Sequence, residues 1–294
     1  MRLAAIDIGS NAARLLISEV TEDNKGIPTF NKLNLVRVPL RLGFDVFENN
    51  QISSPKIGMI LQTMKAYKHL SNAYEVQHII ACATSAMRDA KNAADIIRKI
   101  RLETDISIEI ISGDKEAGLI YENHIAENLD KDHSYLYIDV GGGSTELSFF
   151  NNGKLSNAKS VNIGTIRLLK QTVTEKDWND MKETLRNFTK GAKMVIAIGS
   201  GGNINKIFSM SKRKDGKSLP LELLRDYYKE LSNVPLKERI IRYSLREDRA
   251  DVIVPALQIY INAMRWAGAE EIFVPKIGLV DGLIYHLWEE VSSK

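Results

Sequence analysis

The chain has 294 residues, 44% hydrophobic and 26% charged, proportions ordinary for a globular protein and sufficient for about two domains with their own cores. Its 40 basic and 37 acidic side chains leave a net charge of +3, too small an excess to indicate a nucleic-acid or membrane partner. One cysteine, Cys82 in the apolar run IIACAT, excludes an intrachain disulfide framework and reads as a small buried hydrophobe. With no leader-like start and no apolar run of roughly 18 residues, the expected location is the cytoplasm.

Strand-like runs alternate with amphipathic helical segments. LAAIDIG and ARLLISEV read as two strands around a tight turn. SSPKIGMILQTMKAYKHL is a helix with Ser54 as N-cap, Pro55 at the first helical position, and Ile57, Ile60, Leu61, Met64 and Tyr67 on one face. Strands VQHIIACAT and ISIEII flank a helix near residues 92–102, and another helix is expected from about Asp114 to Glu127. After residue 130 the pattern restarts: SYLYIDVGG, STELSFF and GKLSNAKSVNI as strands, then a helix opening at IGTIRLLK. The strand MVIAIG, a helix beginning near Ala250 so that Pro255 falls in its first turn, the strand EEIFVP and a closing helix from about Leu279 complete the series. Such alternation predicts an α/β fold with mixed sheets.

The restart is an internal repeat. LAAIDIGSNAARLLI aligns with YLYIDVGGGSTELSF, which sets Asp7 against Asp139 at a domain-sized offset. Two lobes of similar architecture are expected to face each other across a cleft, with the boundary near residue 117. A glycine-rich hairpin turn lets consecutive N–H groups converge into a nest for phosphate oxygens, to which Ser10, Asn11, Ser144 and Thr145 add donors. The aspartate before each turn is placed to hold a cation, and magnesium takes a few carboxylate or water oxygens plus substrate phosphates. A Walker A loop and a GxGxxG fingerprint are both absent from the sequence. The histidines at 69, 78, 124, 133 and 286 lack the spacing of a zinc site.

These motifs, in order, resemble the exopolyphosphatase and guanosine pentaphosphate phosphatase family, within the superfamily of actin, sugar kinases and heat-shock chaperones. The matching segments are DIGSNAARLL (7–16), LRLG (40–43), ATSAMRDAKN (83–92), ISGDKEAGLIY (111–121), IDVGGGSTEL (138–147), VNIGTIRL (161–168), GSGGN (199–203), RADVI (249–253) and GLVDG (278–282). The resemblance implies two ribonuclease H-like (actin-like) domains, each a mixed five-stranded sheet flanked by helices. These would span 1–117 and 118–294, with the helix at about 281–294 packing back on the first. It implies that Glu116 activates water, that Asp139 and Glu146 with Asp7 hold Mg2+ or another divalent cation, and that Arg88 binds substrate phosphate. Gly9, Ser10, Asn11, Gly141, Gly142, Gly143, Ser144 and Thr145 fall on the two phosphate turns. The implied reaction releases terminal phosphate from inorganic polyphosphate, or the 5′ γ-phosphate from guanosine pentaphosphate.

The residues agree with that chemistry. Phosphoryl transfer to water needs positioning and charge neutralisation, and an arginine can grip phosphate bidentately. A glutamate low in a cleft beside phosphate is expected to have a raised pKa and to accept a proton more readily. The chain departs from the family pattern at Lys115, Gly118, Asn203 and Val280, where an acidic residue, arginine, threonine and arginine are usual. Two alternatives remain on sequence grounds: a nucleotide-binding phosphotransferase or ATPase of the same fold, and a non-catalytic polyphosphate or alarmone binder. A homodimer is expected on general grounds.

Overall fold

The computed structural model describes residues 1–121, 133–192 and 194–293. Its contacts separate into two compact units, Met1–Ser112 with Leu279–Lys294, and Gly113–Gly278.

The first unit opens with β1 (Arg2–Ile8), β2 (Ala13–Glu22) and β3 (Pro28–Val38), followed by α1 (Gly43–Asn49) and α2 (Ser54–Ala73). Then come β4 (His78–Ala83), α3 (Ser85–Asp89), α4 (Ala93–Thr104) and β5 (Glu109–Ile110). The sheet order is β3-β2-β1-β4-β5, with the β1–β2 and β2–β3 pairs antiparallel and the β1–β4 and β4–β5 pairs parallel. Strand β1 is buried on both faces, which is why LAAIDI reads as a continuous apolar run rather than an alternation. Ile60, Met64 and Tyr67 of α2 join Ile6, Ile8 and Leu15 in the core on one side of the sheet. The cap of α2 is Ser53, one residue before the expected Ser54, and its hydroxyl and N–H both bind Asp45 Oδ2.

The second unit contains α5 (Gly113–Tyr121), β6 (Ser134–Val140), β7 (Thr145–Asn151), β8 (Lys154–Val161), α6 (Thr165–Leu169), α7 (Glu175–Phe188) and β9 (Val195–Ser200). These are followed by α8 (Gly202–Met210), β10 (Leu219–Pro220), α9 (Leu221–Ser232), α10 (Leu236–Arg242), α11 (Glu247–Ala250), α12 (Ile253–Ala267) and β11 (Glu271–Phe273). The last helix, α13 (Leu279–Ser292), belongs to the first unit, where it packs on β1, β2 and β4. Its Asp281 pairs with Lys32 at 2.5 Å.

The second sheet runs β10-β11-β9-β6-β7-β8, six strands where five were expected. The extra member, β10, has only two residues and ends on Pro220, whose missing N–H suits an edge strand. Helix α5 packs on β7 and β8, so residues 113–117 group with the second unit although the sequence division was placed at 117/118. The part of the expected 114–127 helix beyond Tyr121 lies outside the described residues, as does His124. The helix expected from near Ala250 is α12, which begins at Ile253 after the short α11 has ended at Ala250, and Pro255 falls in its first turn, where its absent N–H costs nothing. Among the described residues no helix is long and apolar enough to cross a membrane.

Candidate phosphate and cation site

Both repeats place an aspartate at the end of a central strand and a short turn after it. In the first unit Asp7 is the penultimate residue of β1, and Gly9 N–H closes the turn on Ala12 O at 3.1 Å. In the second, Asp139 occupies the same place on β6, and Gly141 N–H closes on Ser144 O at 2.9 Å. A side chain at Gly141 would come within 3.0 Å of that carbonyl, so glycine is needed there for closeness.

What aims the turns is the binding of their carbonyls. In the second unit Gly141 O accepts from Thr165 N at 3.0 Å and Gly142 O from Ile166 N at 2.8 Å. Gly143 O accepts from Arg167 Nε at 2.7 Å. In a trans peptide the N–H points opposite to the carbonyl, so the N–H groups of Gly142, Gly143 and Ser144 are turned away from α6 together. Three successive donors so directed make an anion-binding nest. The first unit repeats the device: Ser10 O accepts from Gly43 N at 2.8 Å and Asn11 O from Arg41 N at 2.9 Å. That turns the N–H groups of Asn11 and Ala12 the other way. LRLG and VNIGTIRL are therefore the segments that brace the two turns.

The hydroxyls are less available than the sequence suggested. Thr145 is fully buried and its Oγ1 donates to Ile163 O at 2.6 Å, so it anchors the turn rather than offering a side-chain donor to a ligand. Ser10 Oγ and Ser85 Oγ share a hydrogen bond at 2.8 Å inside the first unit. Arg88 lies on α3, half-buried, with Nη1 donating to Ile111 O at 2.8 Å.

Register brings the charged side chains into rows. Across the second sheet Ser200 faces Asp139, Asp139 faces Glu146, and Glu146 faces Ser160. Directly opposed residues share a face, with neighbouring strands about 4.8 Å apart. Ser160 Oγ donates to Glu146 Oε1 at 2.9 Å, and Ser200 Oγ lies 3.3 Å from Asp139 Oδ2. Burial, followed by the charge of Asp139, pushes the Tyr260 hydroxyl well above its ordinary pKa, and it donates to Ser200 O as a neutral phenol. Glu116 sits in α5, which packs on the same β7–β8 pair, and its Oε2 is shielded from solvent.

The corresponding row of the first sheet is Cys82, Asp7, Arg14 and Arg37. Arg14 Nη1 donates to Asp7 Oδ2 at 2.8 Å, while Oδ1 is buried without a partner among the described residues. Burial raises the Asp7 pKa, and the charge and hydrogen bond of Arg14 oppose the rise. Sequence reading passed over Arg14, Arg37, Ser160 and Arg167. Arg14 had a signal: it follows Asp7 by the interval at which Glu146 follows Asp139.

A duplicated strand–turn–strand, with an aspartate as the penultimate residue of the central strand in each copy, is the layout of the actin-like class. The chain belongs to the Ppx/GppA phosphatase family, whose model matches residues 19–290. Over 99% of its length it is 32% identical to a bifunctional 3-dehydroquinate synthase/phosphatase of Fusobacterium nucleatum, of which it spans about half (47%). It is 23% identical to exopolyphosphatase 1 of Mycobacterium tuberculosis, with 97% of this chain and 87% of that protein aligned. In structure it superposes on an exopolyphosphatase from Cytophaga hutchinsonii with a TM-score of 0.83 at 24% identity, covering 99% of this chain and 98% of that one. That likeness establishes the two-domain fold.

Proposed function

We propose that the protein is a metal-assisted phosphoanhydride hydrolase acting on inorganic polyphosphate or on the 5′ γ-phosphate of guanosine pentaphosphate. The observation that carries the reading is the opposition of Asp139 and Glu146 beside a nest of three N–H groups, with Glu116 on the helix seated against the same strands. Membership of the Ppx/GppA family supports it.

The donor set suits magnesium. That ion keeps several waters and takes one or two carboxylates plus substrate phosphates rather than a protein cage. Asp139 and Glu146 of the second unit are such a pair, and Asp7 Oδ1 is a buried carboxylate oxygen of the first. Once bound, a divalent cation neutralises charge on the phosphate oxygens as the reaction proceeds.

The protein's own groups do the rest. In the second unit the turn N–H groups of 142–144 hold phosphate oxygens, and in the first the N–H groups of 11–12 and the guanidinium of Arg88 are the corresponding donors. Glu116 accepts a proton from a water molecule whose oxygen bonds to the terminal phosphorus. The bond from that phosphorus to its bridging oxygen breaks, and the electron pair leaves with the shortened substrate. Such transfer depends chiefly on positioning and charge stabilisation, which rigid backbone donors provide without reorganisation.

The test is phosphate release from polyphosphates of defined length and from guanosine pentaphosphate with magnesium. Glu116→Gln is expected to lower kcat by about 10²–10⁴. An inactive wild type on every substrate would refute the hydrolase, and an unimpaired Glu116→Gln would refute the assigned base.

A further inference from the structure

The two serines that end the acidic row have no part in the proposed chemistry. We propose that Ser160, and to a lesser degree Ser200, are positioning residues that hold Glu146 and Asp139 in the arrangement that binds one divalent cation. The inference rests on the cation role proposed for those carboxylates.

Three observations converge on Ser160. It is directly opposite Glu146 in the β7–β8 register. Its hydroxyl donates to Glu146 Oε1 at 2.9 Å, and Glu146 is 2% exposed, so water is a poor substitute for that donor. The same side chain also supports the start of α5: a Cβ on Gly113 would lie 2.3 Å from Ser160 Cβ and 2.5 Å from its Oγ. The helix carrying Glu116 therefore begins directly on the hydroxyl that orients Glu146. One serine sets two carboxylates in a common frame, the one assigned to the cation and the one assigned to water.

Ser200 does the same for Asp139 less firmly. A hydroxyl has a single hydrogen. That of Ser200 is divided between Ile277 O at 2.9 Å and Asp139 Oδ2 at 3.3 Å, and the shorter contact takes the larger share. The hydrogen of Ser160 goes to Glu146 alone among its described partners. The consequence is an order: loss of the Ser160 hydroxyl harms cation binding more than loss of the Ser200 hydroxyl. Outer partners of metal-binding side chains typically contribute about 10–100-fold to metal affinity.

The experiment measures Mn2+ affinity by the loss of free-ion electron paramagnetic resonance signal, with and without inorganic phosphate and with no substrate present. Ser160→Ala is expected to raise the Mn2+ Kd about tenfold or more, and Ser200→Ala by a smaller factor. In phosphate release the Ser160→Ala defect should shrink as magnesium is raised, which a purely structural lesion would not show. On a Glu146→Gln background Ser160→Ala should add nothing, because the group it orients has gone. Wild-type Mn2+ affinity in Ser160→Ala, or full additivity with Glu146→Gln, overturns the proposal. If Asp139→Asn and Glu146→Gln both bind Mn2+ as well as wild type, the cation reading falls first and this one with it. If those variants lose binding and Ser160→Ala does not, only the positioning role falls. A thermal melt accompanies each variant, and should Ser160→Ala unfold, Ser160→Cys, similar in size with a weak donor, replaces it.

Discussion

Gly164→Ala tests the bracing of the second turn. Gly164 precedes α6 at φ −142° and ψ 163°, extended backbone that any residue adopts, so the substitution meets a question of space rather than strain. The new Cβ would lie 2.4 Å from Gly142 O and 2.5 Å from the carbonyl carbons of Gly142 and Gly143. Those are backbone atoms, which cannot rotate aside as a side chain would. Relief requires Gly142 O to retreat from Ile166 N, 2.8 Å away, and Gly143 O from Arg167 Nε at 2.7 Å. Overpacking of this kind costs about 1–3 kcal/mol, and the two weakened hydrogen bonds together add about 1 kcal/mol. A destabilisation of about 2–4 kcal/mol is therefore expected in urea unfolding, with faster amide exchange at Ile166 and a fall in phosphate release. Wild-type stability together with wild-type protection at Ile166 would refute the account of how the N–H nest is aimed.

Other substitutions probe separate parts of the structure. Thr145→Val keeps the shape but removes the donor to Ile163 O in a fully buried position, and should cost about 1–3 kcal/mol by chemical denaturation. Gly118→Ala places a methyl group on α5 where nothing lies within 4 Å, and should raise stability by about 0.5–1 kcal/mol through helix propensity. Asp7→Asn is expected to leave stability at pH 7 unchanged or higher while phosphate release falls, because burial outweighs Arg14 in setting the pKa of Asp7. The sign follows from linkage: a carboxyl whose folded pKa lies above the unfolded 3.8 binds its proton more tightly when folded, so stability falls as pH rises from 3.8 through the folded value. The advantage of Asp7→Asn should therefore shrink as pH is lowered toward 3.8, as read by urea midpoints across pH.

The repeat was legible because its signals are local: an apolar run, an aspartate, small residues and a second run within fifteen positions. The bracing of the turns was not. It depends on carbonyls of residues 10–11 and 141–143 meeting amides and one guanidinium 24 to 33 residues later, which no periodicity announces. The serine–carboxylate row needs the register of four strands, and β7–β8 slips between Phe149 and Phe150, so Ser160 cannot be set opposite Glu146 by counting. The long edge strand β3 was missed for a related reason: Leu33 is an extra residue between the partners of Ile17 and Ser18 and breaks the alternation of β3, none of whose residues is buried. Helix α7 had a readable start, since Thr174 and Asp177 form a capping box, but no motif drew attention to it.

The two rows show what duplication allowed. At equivalent addresses one unit carries a carboxylate followed on one side by two arginines, and the other two carboxylates between hydroxyls. Strand register was copied while the charge beside the shared aspartate was reversed, an arginine in one copy and a glutamate in the other. Arg14→Glu would set a second carboxylate against the buried Asp7, and Glu146→Arg would force a guanidinium into a position that is 2% exposed, so neither address tolerates the charge of the other.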